Sequence, residues 1–155
     1  MKLSTRGRYA LRAMVDLAHL QGNKTKPISL REISLRQDIS LTYLEQLFNK
    51  LKKACLVNSV RGVEGGYLLA READQISAAD IIRAVEGPIL LVDCIFEDSR
   101  NKKKAMERCK KSDDCLTKSL WEEITCKINQ ILEKKSLKDL STAIPEGKGY
   151  KPDEG

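Results

Sequence analysis

Between Ser29 and Ala70 the apolar residues change period once, from helical to alternating, and this switch constrains the fold more than any other feature. Ser29-Leu30-Arg31-Glu32 has the capping-box pattern, in which serine hydroxyl and glutamate carboxylate each satisfy a backbone N–H at a helix start. The helix it opens turns Leu30 and Ile33 inward and ends near Gln37-Asp38. Ile39 is an apolar plug for the turn. Ser40 then caps a further helix, whose Leu44, Leu47, Phe48 and Leu51 form one stripe. A helix opened by Ser4 and Thr5 precedes this pair and runs to about Leu20, with Leu11, Met14, Val15 and Ala18 apolar. Gly22-Asn23 ends it. Three helices with a tight turn between the last two outline a helix-turn-helix. Leu56–Val60 and Tyr67–Ala70 read as strands, and Arg61-Gly62-Val63-Glu64-Gly65-Gly66 between them has the composition of a hairpin. No Gly-Lys-Ser/Thr follows, so a phosphate-binding loop is the weaker reading. The expected fold is mainly α with a small β-hairpin, a winged helix-turn-helix over residues 1–75.

Residues 76–93 form a connecting helix and linker, capped at Ser77, apolar at Ile81, Ile82 and Val85, and broken by Gly87-Pro88. Residues 94–115 are polar and include Lys102-Lys103-Lys104. Leu116, Leu120, Trp121, Ile124, Ile128, Ile131 and Leu132 then mark a long amphipathic helix, which with a short extension occupies 116–143. Such a stripe suits an internal core helix or a dimer seam. A single small winged helix has little need of it, which favours a long C-terminal dimerisation helix and a homodimer. The tail, 144–155, is polar and rich in Gly and Pro and is expected to be disordered. No stretch has the length and apolarity of a membrane span, and Met1–Arg6 lacks the apolar core of a secretory signal, so a cytoplasmic protein without a membrane partner is expected.

The formal charge of +6 is unevenly distributed. Residues 1–75 carry thirteen Lys or Arg against seven Asp or Glu, whereas 76–155 carry fifteen of each. The excess lies where a polyanion would meet the helix-turn-helix, although a solubility bias would give the same count. On the third helix the side away from the stripe bears Thr42, Glu45, Gln46, Asn49, Lys50, Lys52 and Lys53. Gln and Asn match an adenine edge, Glu accepts from cytosine, and Lys pairs with phosphate or guanine. Double-stranded DNA is the expected partner. Arg6, Arg8 and Arg12 are candidate phosphate contacts, and Arg61 at the wing is placed for a narrow minor groove.

Cys94, Cys109 and Cys115 share the polar segment. Clustered thiolates in a reducing compartment suit an iron–sulfur cluster, zinc or Cu(I), and the absence of Cys-x2-Cys pairs weighs against structural zinc. Cys55, between helix and strand, reads as a small core residue, and Cys126 lies off the apolar stripe. His19, the single histidine, reads as structural. No paired acid and base and no nucleotide fingerprint are present, so the chain is not expected to be an enzyme.

Four runs resemble the iron–sulfur cluster regulator (IscR) family: Met1-Lys2-Leu3-Ser4-Thr5-Arg6-Gly7-Arg8-Tyr9-Ala10, Ile39 to Phe48, Val60 to Leu69, and Cys115-Leu116-Thr117-Lys118-Ser119-Leu120-Trp121. The likeness covers about residues 1–140. It implies a dimeric winged-helix transcription regulator in which Thr42, Glu45, Gln46 and Arg61 contact bases and Cys94, Cys109 and Cys115 hold a cluster, with two irons favoured over four. It also implies control of iron–sulfur biogenesis genes. Two departures bear on the fourth ligand. The spacing from Cys94 to Cys109 is longer than in the best-known members, and their histidine three residues past the last cysteine is Lys118 here, whose ammonium cannot coordinate iron. The related nitric-oxide-sensing repressors use a first-helix aspartate where this chain has Arg8. Glu107, Asp113, Asp114, Cys126, a partner-subunit residue or a small exogenous ligand remain as candidates. The rival readings are a cluster-free regulator responding to thiol oxidation or a small ligand, and a small thiol redox enzyme.

Overall fold

A computed structural model of the chain describes residues 3–22, 25–95 and 114–143. Each of the three α-helices that precede the hairpin begins at a serine whose hydroxyl accepts an otherwise free N–H of the first turn. Ser4 accepts from Gly7 at the start of α1 (Thr5–Gln21), Ser29 from Glu32 at α2 (Leu30–Gln37), and Ser40 from Tyr43 at α3 (Leu41–Lys53). The two-way capping box expected at Ser29 is formed elsewhere. Ser77 and Asp80 make it at α4 (Ala78–Glu86), and Ser136 and Asp139 at α6 (Leu137–Thr142). In each case the acidic residue at the third helical position is aspartate, short enough to reach back to the cap N–H.

The wing is an antiparallel pair, β1 (Val57–Val60) and β2 (Gly66–Leu69), with Val57 opposite Leu69 and Val60 opposite Gly66. Both strands start and end within one residue of the sequence reading. Ile28 adds a third, single-residue rung by exchanging two hydrogen bonds with Tyr67 at 2.9 and 2.8 Å. A Cβ on Gly66 would collide with the backbone of Ile28 and Ser29, so only glycine lets the wing lie this close to the start of α2. Phe48 packs edge-on against Tyr67 at 4.9 Å, which joins the wing to α3.

The core gathers Met14 and Leu17 of α1, Ile33 of α2, the α3 stripe Leu44, Leu47, Phe48 and Leu51, and Ile81 and Val85 of α4. Leu137 enters the same core from α6 and is fully buried, so α6 packs back on the helix-turn-helix half. The long helix α5 (Lys118–Lys134) runs antiparallel to α4: Arg83 donates to Asn129 and Glu133, and the Ala78 N–H donates to the Lys135 carbonyl at 2.8 Å. A cavity of about 500 Å³ opens between Leu3, the end of α4, Pro88–Leu91 and the α5 residues Thr125, Ile128 and Leu132.

Two further expectations change. Cys55 is exposed rather than buried, because it takes the left-handed conformation (φ 57°) that ends the α3 turn and points its side chain outward. Leu116 is fully exposed and precedes α5, which begins two residues later at Lys118.

One buried ion pair fixes the angle between α1 and α2. Asp16 is 2% exposed, and Arg36 meets its carboxylate through Nε and Nη2 at 2.9–3.1 Å. The hydrogen bond with Asp16 raises the guanidinium above its ordinary pKa. Arg36→Met leaves the carboxylate buried and unpaired. With Arg36 itself one-third exposed, the expected loss is about 2–3 kcal/mol, seen as a lower urea midpoint at unchanged m. A loss below about 0.5 kcal/mol, the size of an ordinary surface substitution, would mean that the pair is ornamental.

Candidate nucleic-acid interface and cysteine segment

α3 exposes one face because its opposite face is consumed by the core. Thr42, Glu45, Gln46 and Asn49 recur at helical spacing and are all exposed. The tight turn ahead of α3 is held from three sides. Asp38 ends α2 in the left-handed region (φ 50°), the Ser34 hydroxyl donates to the Ile39 carbonyl at 2.6 Å, and Arg12 grips Gln37. Arg12 Nη2 donates to the Gln37 carbonyl at 2.7 Å and Nε to its Oε1 at 3.3 Å. Arg12, read from sequence as a candidate phosphate contact, is thereby built into the scaffold.

The two lysines flanking the reading face are also turned to protein. Lys50 Nζ donates to the Val85 carbonyl at 3.2 Å, and Lys52 Nζ donates to the Ser59 hydroxyl of β1. On a helix that advances about 100° per residue, these positions lie on opposite edges of the face centred on Gln46 and Asn49. Lys53, near its middle, is exposed, as are Arg6 and Arg8 on α1. At the wing Arg61 is exposed, and Gly62 (φ 117°) turns the loop so that Val63 stands fully exposed at its tip. Thr42, Glu45, Gln46, Asn49, Arg8 and Arg61 thus all lie on the surface of one half of the chain.

Of the three clustered cysteines, Cys94 and Cys115 lie among the described residues and Cys109 does not. Cys94 sits in a 3-10 turn, Asp93–Ile95, that packs against α5. Cys115 lies just before α5, half-buried. Its thiol is held below the ordinary pKa, first by the hydroxyl of Thr117 at 3.4 Å, then by the backbone N–H groups of Thr117 and Lys118 and by the Lys118 charge. Thiolate sulfur is the donor that iron–sulfur centres take, and the contacts at Cys115 ease loss of its proton, while Cys94 is on a segment docked to the helix that follows; among the described residues no three such ligands come together. Lys118 cannot replace a histidine ligand, but its positive charge favours the neighbouring thiolate. Asp114 is exposed, Cys126 is exposed on α5 beside Gln130, and Glu107 and Asp113 fall outside the described residues. His19 is exposed near the end of α1.

A helix-turn-helix followed by a β-hairpin wing, with one face of α3 and the wing tip exposed, is the arrangement that winged-helix DNA-binding regulators use. The chain belongs to the Rrf2 family, described as iron-dependent transcriptional regulators, which matches residues 3–143. It is 43% identical over 140 residues to the HTH-type transcriptional regulator IscR of Sodalis glossinidius, covering 90% of this chain and 78% of that protein. It is 44% identical over 141 residues to a putative HTH-type transcriptional regulator of Haemophilus influenzae, covering 90% and 86%. Among solved structures, CymR, the global cysteine regulator of B. subtilis, superimposes with a TM-score of 0.72 at 38% identity, covering 94% of this chain and 99% of that one. T. potens IscR gives 0.68 at 38% identity, covering 95% and 94%. No helix among the described residues is long and apolar enough to cross a membrane.

Thr117→Val removes the hydroxyl that favours the Cys115 thiolate. Peptide-resolved alkylation by iodoacetamide across a pH series should show Cys115 reacting at higher pH than in the parent chain. An unchanged profile would mean that the backbone N–H groups and Lys118 suffice.

Proposed function

We propose that this chain is a homodimeric, cytoplasmic regulator that senses iron–sulfur cluster status and controls genes of cluster assembly. The observation that carries the reading is that the turn holding Cys94 packs against α5 and Cys115 lies three residues ahead of the same helix, with Cys109 between them in sequence. Cys94, Cys109 and Cys115 are the cluster ligands in this reading, and two irons are favoured. A cluster bound there would supply iron–thiolate bonds that cross-link the turn after α4 to the start of α5. The chain's own part is to ease proton loss at Cys115 and to tie the Cys94 turn and α5 to the helix-turn-helix half. The relatives named IscR support this assignment.

Dimerisation through α5 is supported by the helix's outer face. Leu120 and Ile131 are 49% and 61% exposed, Trp121, Ile124, Ile128 and Leu132 are only half-buried, and Thr125 is the one buried residue of the helix. A second copy laid along this stripe would cover it and set two reading faces at a fixed spacing. Thr42, Glu45, Gln46 and Asn49 are the proposed major-groove contacts, Arg61 the minor-groove contact, and Arg8 and Lys52 the phosphate contacts. For Lys52 that requires release from Ser59.

The test is anaerobic purification followed by visible absorption and assays of iron and acid-labile sulfide. Expected are charge-transfer bands with matched iron and sulfide at two per chain, lost in Cys109→Ala. The operator preference of Cys109→Ala should equal that of cluster-free parent protein. A colourless protein that stays colourless after reconstitution would overturn the cluster assignment and leave a regulator whose cysteines answer to thiol oxidation or another ligand.

A further inference from the structure

Lys50 carries a residue type that suits phosphate, yet its ammonium is occupied within the fold. It donates to the carbonyl of Val85, one of the last carbonyls of α4, which no intrahelical N–H can satisfy. The negative end of the helix dipole adds to that attraction. The same turn of α4 has two other attachments. Glu86 accepts from the Ser4 hydroxyl at the start of α1. Gly87 then closes the helix with φ 93°, and the Ile89 carbonyl beyond it accepts from Asn129 of α5 at 3.0 Å. Asn129 in turn accepts from Arg83. The chain leaving this turn leads through Pro88 and Leu91 straight to the turn that holds Cys94.

We infer that Lys50 is a positioning residue, which fixes the recognition helix to the last turn of α4 and so passes the state of the cysteine segment to the DNA-reading face, in place of pairing with a DNA phosphate. Lys52 makes the matching bond on the opposite edge, to the wing, so α3 is pinned on one flank to the reading apparatus and on the other to the helix that leads to Cys94. Any shift of Val85 relative to the core moves the Lys50 edge of α3 and tilts Thr42, Glu45, Gln46 and Asn49 together. The coupling half of this inference rests on the cluster reading given above, whereas the tether half does not.

The variants are Lys50→Met, which keeps the apolar stem and removes the donor, and Lys50→Arg, which keeps a donor and the charge. The probe is a duplex selected by the parent protein from a random-sequence pool, titrated at several salt concentrations with cluster-reconstituted and cluster-free protein. In Lys50→Met the slope of log affinity against log salt should equal that of the parent. The ratio of affinities in the two forms, typically about 5–150-fold for a coupled pair of sites, should fall to within about twofold of unity. Lys50→Arg should retain most of the ratio. A slope smaller by about 0.9 per subunit, roughly 1.8 for the dimer, with the ratio preserved would identify a phosphate contact and overturn the inference. The Glu86 amide shares its peptide group with the Val85 carbonyl, so its N–H resonance should move in Lys50→Met and hold in Lys50→Arg; an unmoved resonance in both would remove the tether. If the parent protein itself binds equally in both forms, the cluster reading fails, and the salt slope and the Glu86 resonance still decide where Lys50 is engaged.

Discussion

The last turn of α4 is where three parts of the chain that are distant in sequence are bonded to one another. Its Val85 carbonyl, which the helix cannot satisfy alone, and the Glu86 side-chain carboxylate are met from different elements. The Val85 carbonyl receives Lys50 of α3, the Glu86 carboxylate receives Ser4 of α1, and the chain just beyond is stapled to α5 through Asn129. A glycine in α1 makes the middle contact possible, since a Cβ at Gly7 would occupy the place of the Glu86 carboxylate. The geometry of the reading face is therefore set by a helix outside the helix-turn-helix as well as by the core beneath it.

Two kinds of bond hold the DNA-reading half, and they act at different places. The Asp16–Arg36 pair, whose carboxylate is buried, and the Arg12 grip on Gln37 fix α2 and the turn relative to α1, where the acceptors are screened less than at the open surface. The lysine contacts of α3 are peripheral, each a single ammonium on one acceptor. Interior bonds of the first kind define the fold, whereas peripheral ones of the second kind can be remade without unfolding it. Adjustment of the reading face without loss of structure needs that division.

Most of the fold is legible in the sequence because it is written in short-range signals. Serine caps at 4, 29, 40, 77 and 136 and the stripe from Leu44 to Leu51 place the helices, and three glycines in six residues place the hairpin. The errors arise where the outcome depends on contacts between elements or on one backbone angle. Cys55 looked like core because it is small and lies between helix and strand, but a helix that ends in a left-handed residue turns that side chain out. Lys50, Lys52 and Arg12 looked like free cations because their acceptors are 35, 7 and 25 residues away, beyond the reach of any periodicity. Exposure of the candidate reading residues was readable from the helical period. The low thiol pKa at Cys115 was not, since it comes from a hydroxyl and two backbone N–H groups oriented by the start of α5.

If the last turn of α4 carries information between the cysteine segment and the recognition helix, both must respond together to loading of the cysteines. Amide hydrogen exchange of cluster-reconstituted against cluster-free protein measures this region by region. The account predicts that protection changes in residues 83–91 and in α3 by comparable factors, alongside any change near Cys94 and Cys115. A change confined to residues 92–120, with 83–91 and α3 exchanging identically in both forms, would contradict it.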